Sequence, residues 1–215
     1  MHSCVITLAT SKGGAGKSTL TRNLAAHWLN IGMKVAIVDA DPQGSIINRH
    51  DSNGLLKDIF VVAEPEENVS NLIHELRGRF NYILVDTGGF RNKTTVRALV
   101  STDIAIIPLK PSADDVTGAI ETYDLIMEIN QTPERINKPI QYRMVITMSQ
   151  QNTVIARHVR NELDQQEYKL LKAEMYHRVA YPESAINGLS PIIVDPESSA
   201  ARDMFHIVKE LKSIL

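Results

Sequence analysis

The length, composition and charge of the chain exclude several classes of protein. Its 215 residues, 43% hydrophobic and 22% charged, predict one α/β domain over residues 1–215 with no additional N-terminal domain. The single cysteine, Cys4, excludes an intrachain disulfide and a cysteine-rich metal site. A formal net charge of -2 gives no overall attraction to nucleic acid, and no apolar run approaches the roughly 20 residues that span a bilayer, so we expect a cytoplasmic protein.

Apolar segments alternate with helical patterns along the chain. The predicted strands lie at residues 4–9, 33–39, 59–62, 82–86, 103–108 and 142–147, with a short edge strand at 174–176. The first predicted helix follows the glycine-rich segment near residue 16, and the other predicted helices lie at 69–76, 94–100, 113–129, 153–166 and 198–215. This alternation predicts an α/β fold with a doubly wound, mostly parallel sheet and helices on both faces. Ligands of such sheets bind at the carboxyl ends of the strands.

A glycine-rich segment joins the first strand to the first helix. Residues 11–19 read Ser-Lys-Gly-Gly-Ala-Gly-Lys-Ser-Thr and form a phosphate-binding loop of the G-x-x-x-x-G-K-[ST] type. Its glycines let backbone N–H groups converge on an anion, Lys17 would reach the β- and γ-phosphates, and the Ser18 hydroxyl would bind Mg²⁺. A turn without a ligand would leave this lysine and hydroxyl unexplained. The predicted nucleotide contacts are Gly13, Gly14, Ala15, Gly16, Lys17, Ser18 and Thr19.

Three aspartates fall where predicted strands end. Asp39 closes the second strand, Asp41 follows two residues later, and Asp86 closes the strand over 82–86. An aspartate at the end of an apolar strand is the Walker-B arrangement, which holds Mg²⁺; the alternative is a carboxylate that caps a helix or turn. After Asp86, the pair Gly88–Gly89 would let a backbone N–H group approach the γ-phosphate.

Lys12 is the residue that a generic phosphate-binding loop does not explain. With it, residues 12–19 fit the motif K-G-G-x-G-K-[ST], and residues 39–44 read Asp-Ala-Asp-Pro-Gln-Gly. Both segments resemble motifs of the ParA/MinD family of ATPases, and residues 187–201 resemble the G-x-P-I…D-P-x-S-x-A segment of its ParA-type partition ATPases. The resemblance extends over nearly the whole chain and implies a P-loop NTPase fold.

The resemblance also implies a mechanism. Two subunits would sandwich two ATP molecules, and Lys12 of each subunit would neutralise phosphate charge in its partner's site. Asp41 would position the attacking water, whereas Asp39 and Asp86 would hold the Mg²⁺ shell beside Ser18. ATP would be hydrolysed to ADP and phosphate, slowly because no cis arginine finger is evident, and faster with a partner protein.

Two details of the site follow from the same resemblance. The adenine would lie near Met148 and Pro182. Many family members have D-T-P-x after the third strand, whereas this chain has Asp-Thr-Gly-Gly over residues 86–89, so we expect a more flexible loop.

The chain is most similar to short ParA-type partition proteins, which include ParF-like and VirC1-like proteins. We expect no N-terminal helix-turn-helix extension of the kind that longer partition ATPases have. The last predicted helix has an apolar stripe that we expect to pack on the sheet rather than bind a membrane. The resemblance then implies plasmid or chromosome partition on the nucleoid, with a homodimer that binds DNA non-specifically and a ParB-type or ribbon-helix-helix adaptor.

Basic residues near the C-terminal half are the DNA-binding candidates, although a solvated surface is the alternative interpretation. They are Arg157, Arg160, Lys169, Lys172, Arg178 and Arg202.

A second hypothesis for the function is a ParA-like ATPase that positions a protein cargo, such as a division, microcompartment or conjugation complex. A third is an ATP-dependent ligase of the dethiobiotin synthetase type, against which Lys12 and the segment at 39–44 argue.

Overall fold

One parallel sheet forms the centre of the computed structural model, which describes residues 3–89 and 92–215. Its strands in that part of the chain are β1 (Cys4–Leu8), β2 (Val35–Ala40), β3 (Phe60–Ala63), β4 (Tyr82–Thr87), β5 (Ile104–Leu109), β6 (Gln141–Ser149) and β7 (Met175–Tyr176). The order across the sheet is β3-β2-β4-β1-β5-β6-β7, and all neighbours are parallel. The predicted doubly wound α/β sheet is therefore confirmed.

Helices cover both faces of the sheet. They are α1 (Lys17–Asn30), α2 (Val69–Leu76), α3 (Lys93–Val100), α4 (Ala113–Asn130), α5 (Val154–Gln165), α6 (Ala180–Ile186), α7 (Pro191–Val194) and α8 (Ser199–Leu211), with a 3₁₀ turn at Ile47–Arg49. Side chains of adjacent strand residues point to opposite faces. Accordingly Ile6 of β1 packs in the core beneath α1 and α8, whereas its neighbour Val5 packs beneath α2.

The apolar stripe of α8 packs inside the protein, as predicted. Met204, Ile207, Val208 and Leu211 are buried in the same core cluster as residues of α1. On α1 itself, Trp28 is 1% exposed and stacks on Tyr82 with ring centroids 4.1 Å apart. Within residues 3–89 and 92–215, no helix is both long enough and apolar enough to cross a bilayer.

The C-terminal part differs from the predicted elements in two respects. The helix predicted over 198–215 ends at Leu211. The chain then turns, and Ile214 and Leu215 line a cavity together with Cys4, at the edge of the sheet where β1 begins. Helices α6 and α7 were not predicted. They have seven and four residues, which is too short for an apolar period to be recognised.

The position of β1 determines where a ligand can bind. This strand lies between β4 and β5. The chain passes from β1 to β2 in one half of the sheet, and it later crosses from β4 to β5 in the other half. In doubly wound sheets the crevice beyond the carboxyl ends of the strands at such a point is the usual ligand site. The glycine-rich loop, Asp86 near the end of β4 and the segment at the end of β2 all meet at this edge.

Candidate functional site

The glycine-rich loop adopts a conformation that its glycines permit. Gly14 and Gly16 have φ angles of 72° and 85°, in the left-handed region that side chains disfavour, and Gly16 precedes the first residue of α1. A Cβ on Gly16 would lie 3.0 Å from the Met175 methyl and 3.6 Å from the Met148 methyl. The loop therefore needs glycine here for both conformation and space, and its backbone can approach a ligand closely.

Two threonines, one on the sheet and one on helix α4, fix the loop in place. Thr147, near the end of β6, donates a hydrogen bond from its hydroxyl to the Ala15 carbonyl at 2.8 Å. On the other side, the Ser11 N–H donates to the Thr122 hydroxyl oxygen of α4 at 3.2 Å. These contacts hold the loop in place before any ligand binds.

Lys17 is positioned to bind an anion. Its side chain is buried, and its Nζ lies 3.5 Å from the carbonyl oxygen of Lys12 in the same loop. Burial lowers the pKa of Lys17, and the nearby carboxylates of Asp86 and Asp41 only partly offset this effect. A phosphate group would stabilise the charged form of this lysine in a place where water does not.

Asp86 is a buried carboxylate with an unused oxygen. Thr21 donates a hydrogen bond to its Oδ1 at 3.4 Å, whereas its Oδ2 has no partner among the described residues. Burial raises the pKa of Asp86 to about 7, although a hydrogen bond from the Ser18 side chain acts in the opposite direction. A cation would stabilise the ionised form of this carboxylate.

The residues around Asp86 fit a magnesium ion that phosphate helps to bind. Mg²⁺ in such sites takes one or two carboxylates, with substrate phosphates and waters as the other ligands. In the part of the chain that the structure describes, no group of three or more His, Cys, Asp or Glu side chains could hold a metal alone. Ser18 and Asp86 are the residues that would hold the ion.

Asp39 is predicted from the sequence to hold Mg²⁺, but in the structure its carboxylate accepts hydrogen bonds from backbone N–H groups. Its Oδ2 accepts the N–H groups of Ile46 and Ile47, each at 2.9 Å, and its Oδ1 accepts the Asp41 N–H at 3.3 Å. The carboxylate therefore ties the segment after β2 to the end of the strand. Its contribution to a Mg²⁺ shell stays a prediction.

Asp41 lies in the cleft, as the sequence predicts. A cleft of about 380 Å³ is lined by the glycine-rich loop, Asp41, Gln43, Ser45 and Gly88. Asp41 is half-buried, and its Oδ1 accepts the Gln43 N–H at 2.9 Å. The geometry thus places a carboxylate opposite the loop that carries Lys17.

Arg22 is a site residue that the sequence analysis missed. It is 7% exposed on α1, and its guanidinium donates to the Ser45 carbonyl at 3.3 Å, an oxygen that also accepts from Arg49 at 2.9 Å. Burial, followed by repulsion from Arg49, lowers the pKa of Arg22. Its position four residues after Ser18 was the available signal, because such residues share a helix face.

The two predicted adenine contacts lie in different places. Met148 lines the cleft and has a φ of 53°, which is rare for a residue with a side chain. Pro182 is exposed on α6 and is not one of the residues that line the cleft.

The DNA-binding candidates are of two kinds. Arg160 forms an ion pair with Glu174 and Arg178 forms one with Asp203, each with a nitrogen–oxygen distance of 2.6 Å. Both arginines also lie in partly buried surroundings. The exposed candidates are Arg157, Lys169, Lys172 and Arg202. The structure therefore leaves only part of the predicted set free to contact a phosphate backbone.

The sequence matches a known family and several known proteins. A family profile described as the CobQ/CobB/MinD/ParA nucleotide binding domain matches residues 6–192. Protein ParA of Rhizobium radiobacter is 30% identical over 147 residues, which are 67% of this chain and 64% of that relative. The maintenance of carboxysome distribution protein A of Halothiobacillus neapolitanus is 23% identical over 202 residues, which are 92% of this chain and 91% of that relative.

A solved structure has the same fold. The septum site-determining protein MinD complexed with Mg-ADP, from Pyrococcus horikoshii OT3, aligns with a TM-score of 0.76. The alignment covers 97% of this chain and 96% of that chain, at 18% sequence identity. The predicted P-loop fold is confirmed by this similarity.

Proposed function

Because the chain belongs to the CobQ/CobB/MinD/ParA nucleotide-binding family, we propose that it is a Mg²⁺-dependent ATPase that hydrolyses ATP to ADP and phosphate. The observation that carries this proposal is a pair of buried, incompletely satisfied charges, Lys17, which lines the cleft, and Asp86, which is fully buried near it. One suits phosphate and the other suits a cation. The Mg-ADP complex of the similar MinD structure supports the same ligands.

The charged and hydroxyl side chains in and around the cleft have distinct roles in this proposal. The N–H groups of residues 13–16 and the Lys17 ammonium bind the phosphates, and Ser18 with Asp86 holds Mg²⁺. Bound Mg²⁺ neutralises charge that develops on the phosphate oxygens. Asp41 orients the attacking water, and Asp39 and Arg22 keep the segment that carries Asp41 in position.

Lys12 extends the proposal to a homodimer. It is exposed, and it forms no ion pair with any residue in 3–89 or 92–215. A lysine next to a phosphate-binding loop, yet exposed to solvent, suits a nucleotide bound by a second copy. ATP would then hold two subunits together, and loss of the γ-phosphate would weaken the dimer. A partner protein would accelerate a slow intrinsic turnover.

The biological role that we propose is DNA segregation. The ATP dimer would bind nucleoid DNA non-specifically through exposed cations such as Arg157, Lys172 and Arg202, and an adaptor of the ParB or ribbon-helix-helix type would link it to a replicon. The similarity to ParA of Rhizobium radiobacter supports this role. The second candidate is the positioning of a protein cargo, which the similarity to a carboxysome distribution protein over 92% of the chain supports.

Hydrolysis and DNA binding together test the proposal. We expect wild-type protein to hydrolyse ATP and to sediment with DNA in ATP but not in ADP. Asp41→Ala should keep ATP affinity, lose turnover and stay on DNA longer, whereas the matched variant Asp124→Ala, at an exposed site on α4, should behave as wild type. Equal turnover in Asp41→Ala would refute the role of Asp41, and equal DNA binding in both nucleotides would refute the switch.

A cellular measurement separates segregation from cargo positioning. Deletion of the gene should raise the loss rate of its replicon if the protein segregates DNA. An unchanged loss rate, together with a protein complex that becomes misplaced, would favour the second candidate.

A further inference from the structure

Helix α4 approaches the loop before Lys17 unusually closely at a glycine. Gly118 is buried on α4, and a Cβ placed on it would overlap the Ser11 hydroxyl oxygen and lie 2.9 Å from the Lys12 Cγ. Real Cβ atoms essentially never show contacts under 3.0 Å, so a side chain at 118 requires Ser11 and Lys12 to shift. The stem of Lys12 thus passes directly over this glycine.

One helical turn further, Thr122 fixes the backbone of the same segment. Its hydroxyl donates to the Gly118 carbonyl at 2.7 Å and accepts the Ser11 N–H at 3.2 Å. Thr122 is 1% exposed, so water does not compete for these hydrogen bonds. Helix α4 therefore contacts the segment twice, through its surface at Gly118 and through a hydrogen bond at Thr122.

The helix that makes these contacts is itself rigidly placed. The Ser112 side chain caps α4 by accepting the Asp115 N–H, and Val116, Ala119 and Ile126 are buried against the sheet. Ser11 stands five residues before Gly16, where the G-x-x-x-x-G-K-[ST] pattern has a glycine. Its hydroxyl is buried without a hydrogen-bond partner among the described residues, so this side chain contributes shape rather than polar contacts.

We propose that Gly118 and Thr122 are positioning residues that set the direction of the Lys12 side chain. This inference rests on the proposed function, in which Lys12 reaches the nucleotide of a second subunit. The Lys12 stem lies in the gap at Gly118, and a methyl group there would force the stem into another rotamer. Because the displaced groups are side chains and alanine favours helix, Gly118→Ala should fold and misdirect Lys12.

Kinetics of matched variants test this role. Gly118→Ala and Thr122→Val should lower ATP turnover and the dimer fraction by about tenfold or more, since a misplacement of about 1 Å can cost on the order of a hundredfold. The affinity of Gly118→Ala for a fluorescent ADP analogue and its melting temperature should stay close to wild-type values. Thr122→Val should also lower the melting temperature, because it leaves the buried Ser11 N–H group without an acceptor. Thr117→Ala, at an exposed neighbouring position on α4, should match wild type in every measurement.

A double-mutant cycle separates positioning from general packing. If Gly118 acts through Lys12, Gly118→Ala should have a much smaller further effect in a Lys12→Ala background, because the misdirected side chain is already absent and only the displacement of Ser11 remains. Losses that add fully would instead indicate a packing role and overturn the inference. Wild-type dimerisation and turnover in Gly118→Ala, with both lost in Lys12→Ala, would also overturn it while the proposed function stands. Full activity in Lys12→Ala would refute both.

Discussion

Asp39 and Asp86 are paired neighbours at the carboxyl ends of β2 and β4, yet the fold uses their carboxylates differently. Asp39 accepts three backbone N–H groups, including those of Ile46 and Ile47. Asp86 keeps an oxygen without a partner in the described part of the chain. The first carboxylate therefore maintains the structure of the cleft, and the second is available for a cation.

Matched substitutions at these two positions should have opposite effects. Asp39→Asn should destabilise the protein by about 1–3 kcal/mol, because the amide turns a donor toward backbone N–H groups. Asp86→Asn should keep or raise stability without nucleotide, because it removes a buried charge, and should lower Mg²⁺-supported turnover by about 10- to 100-fold. Urea unfolding and ATP turnover check both. Equal loss of stability in the two variants would contradict the assignment.

A buried histidine should make stability depend on pH. His27 of α1 is 8% exposed, packs edge-on against Phe205 at 5.5 Å, and has no hydrogen-bond partner at either nitrogen among the described residues. Burial, and then repulsion from Lys212, lowers the pKa of His27 from its ordinary value of 6.5. The unfolded chain therefore binds the proton more readily. The contribution of the neutral His27 side chain to the free energy of unfolding is therefore complete above pH 6.5. It is lost as the pH falls through the lower pKa that His27 has in the folded state.

We expect His27→Leu to reduce this pH dependence. Urea midpoints between about pH 7 and pH 5 should fall less steeply for the variant than for wild type, because the proton uptake on unfolding is removed. His74→Gln, at an exposed site on α2, serves as the control and should follow the wild-type curve. If the urea midpoints of wild type and His27→Leu fell equally with pH, another group would be responsible for the loss of stability at acidic pH.

The arginines of the predicted DNA surface should separate into two classes. Arg178→Ala should lower stability by about 1.5–3 kcal/mol, because it leaves the buried Asp203 carboxylate without its ion-pair partner. Arg157→Glu and Lys172→Glu, both exposed, should leave stability unchanged and weaken DNA binding in ATP, with a salt slope reduced by roughly one per charge. Titration with DNA at several salt concentrations measures this, and unchanged affinity would exclude these residues from the surface.

The strands and the phosphate-binding loop were predictable because their signals are local. Continuous apolar runs identified β2, β4 and β5, and the loop motif has a fixed spacing that packing alone does not require. A capping role for Asp39 was one of two alternatives from the sequence, but its partners were not predictable, because the backbone groups of Ile46 and Ile47 lie seven and eight residues further on. A pattern shows which residues end a strand and not which N–H groups fold back to them.

Arg22 and Gly118 escaped prediction for a related reason. A charged residue in a helix is most often exposed, and only the folded chain shows that Arg22 reaches the Ser45 carbonyl. A lone glycine in a helix predicts a local cost in stability, and nothing in its neighbours indicates that Lys12 crosses it. Both roles depend on segments far away in sequence.

Molar mass in solution tests the central claim most directly, namely that Lys12 completes a nucleotide site in a second subunit. With Mg²⁺ and a non-hydrolysable ATP analogue, light scattering should show a dimer for wild type and for Lys34→Gln, whose exposed lysine precedes β2 at the opposite edge of the sheet. Lys12→Gln with the analogue, and wild type with ADP, should show monomers. A wild-type protein that stays monomeric with the analogue at every concentration, or a Lys12→Gln protein that dimerises as well as wild type, would contradict the account.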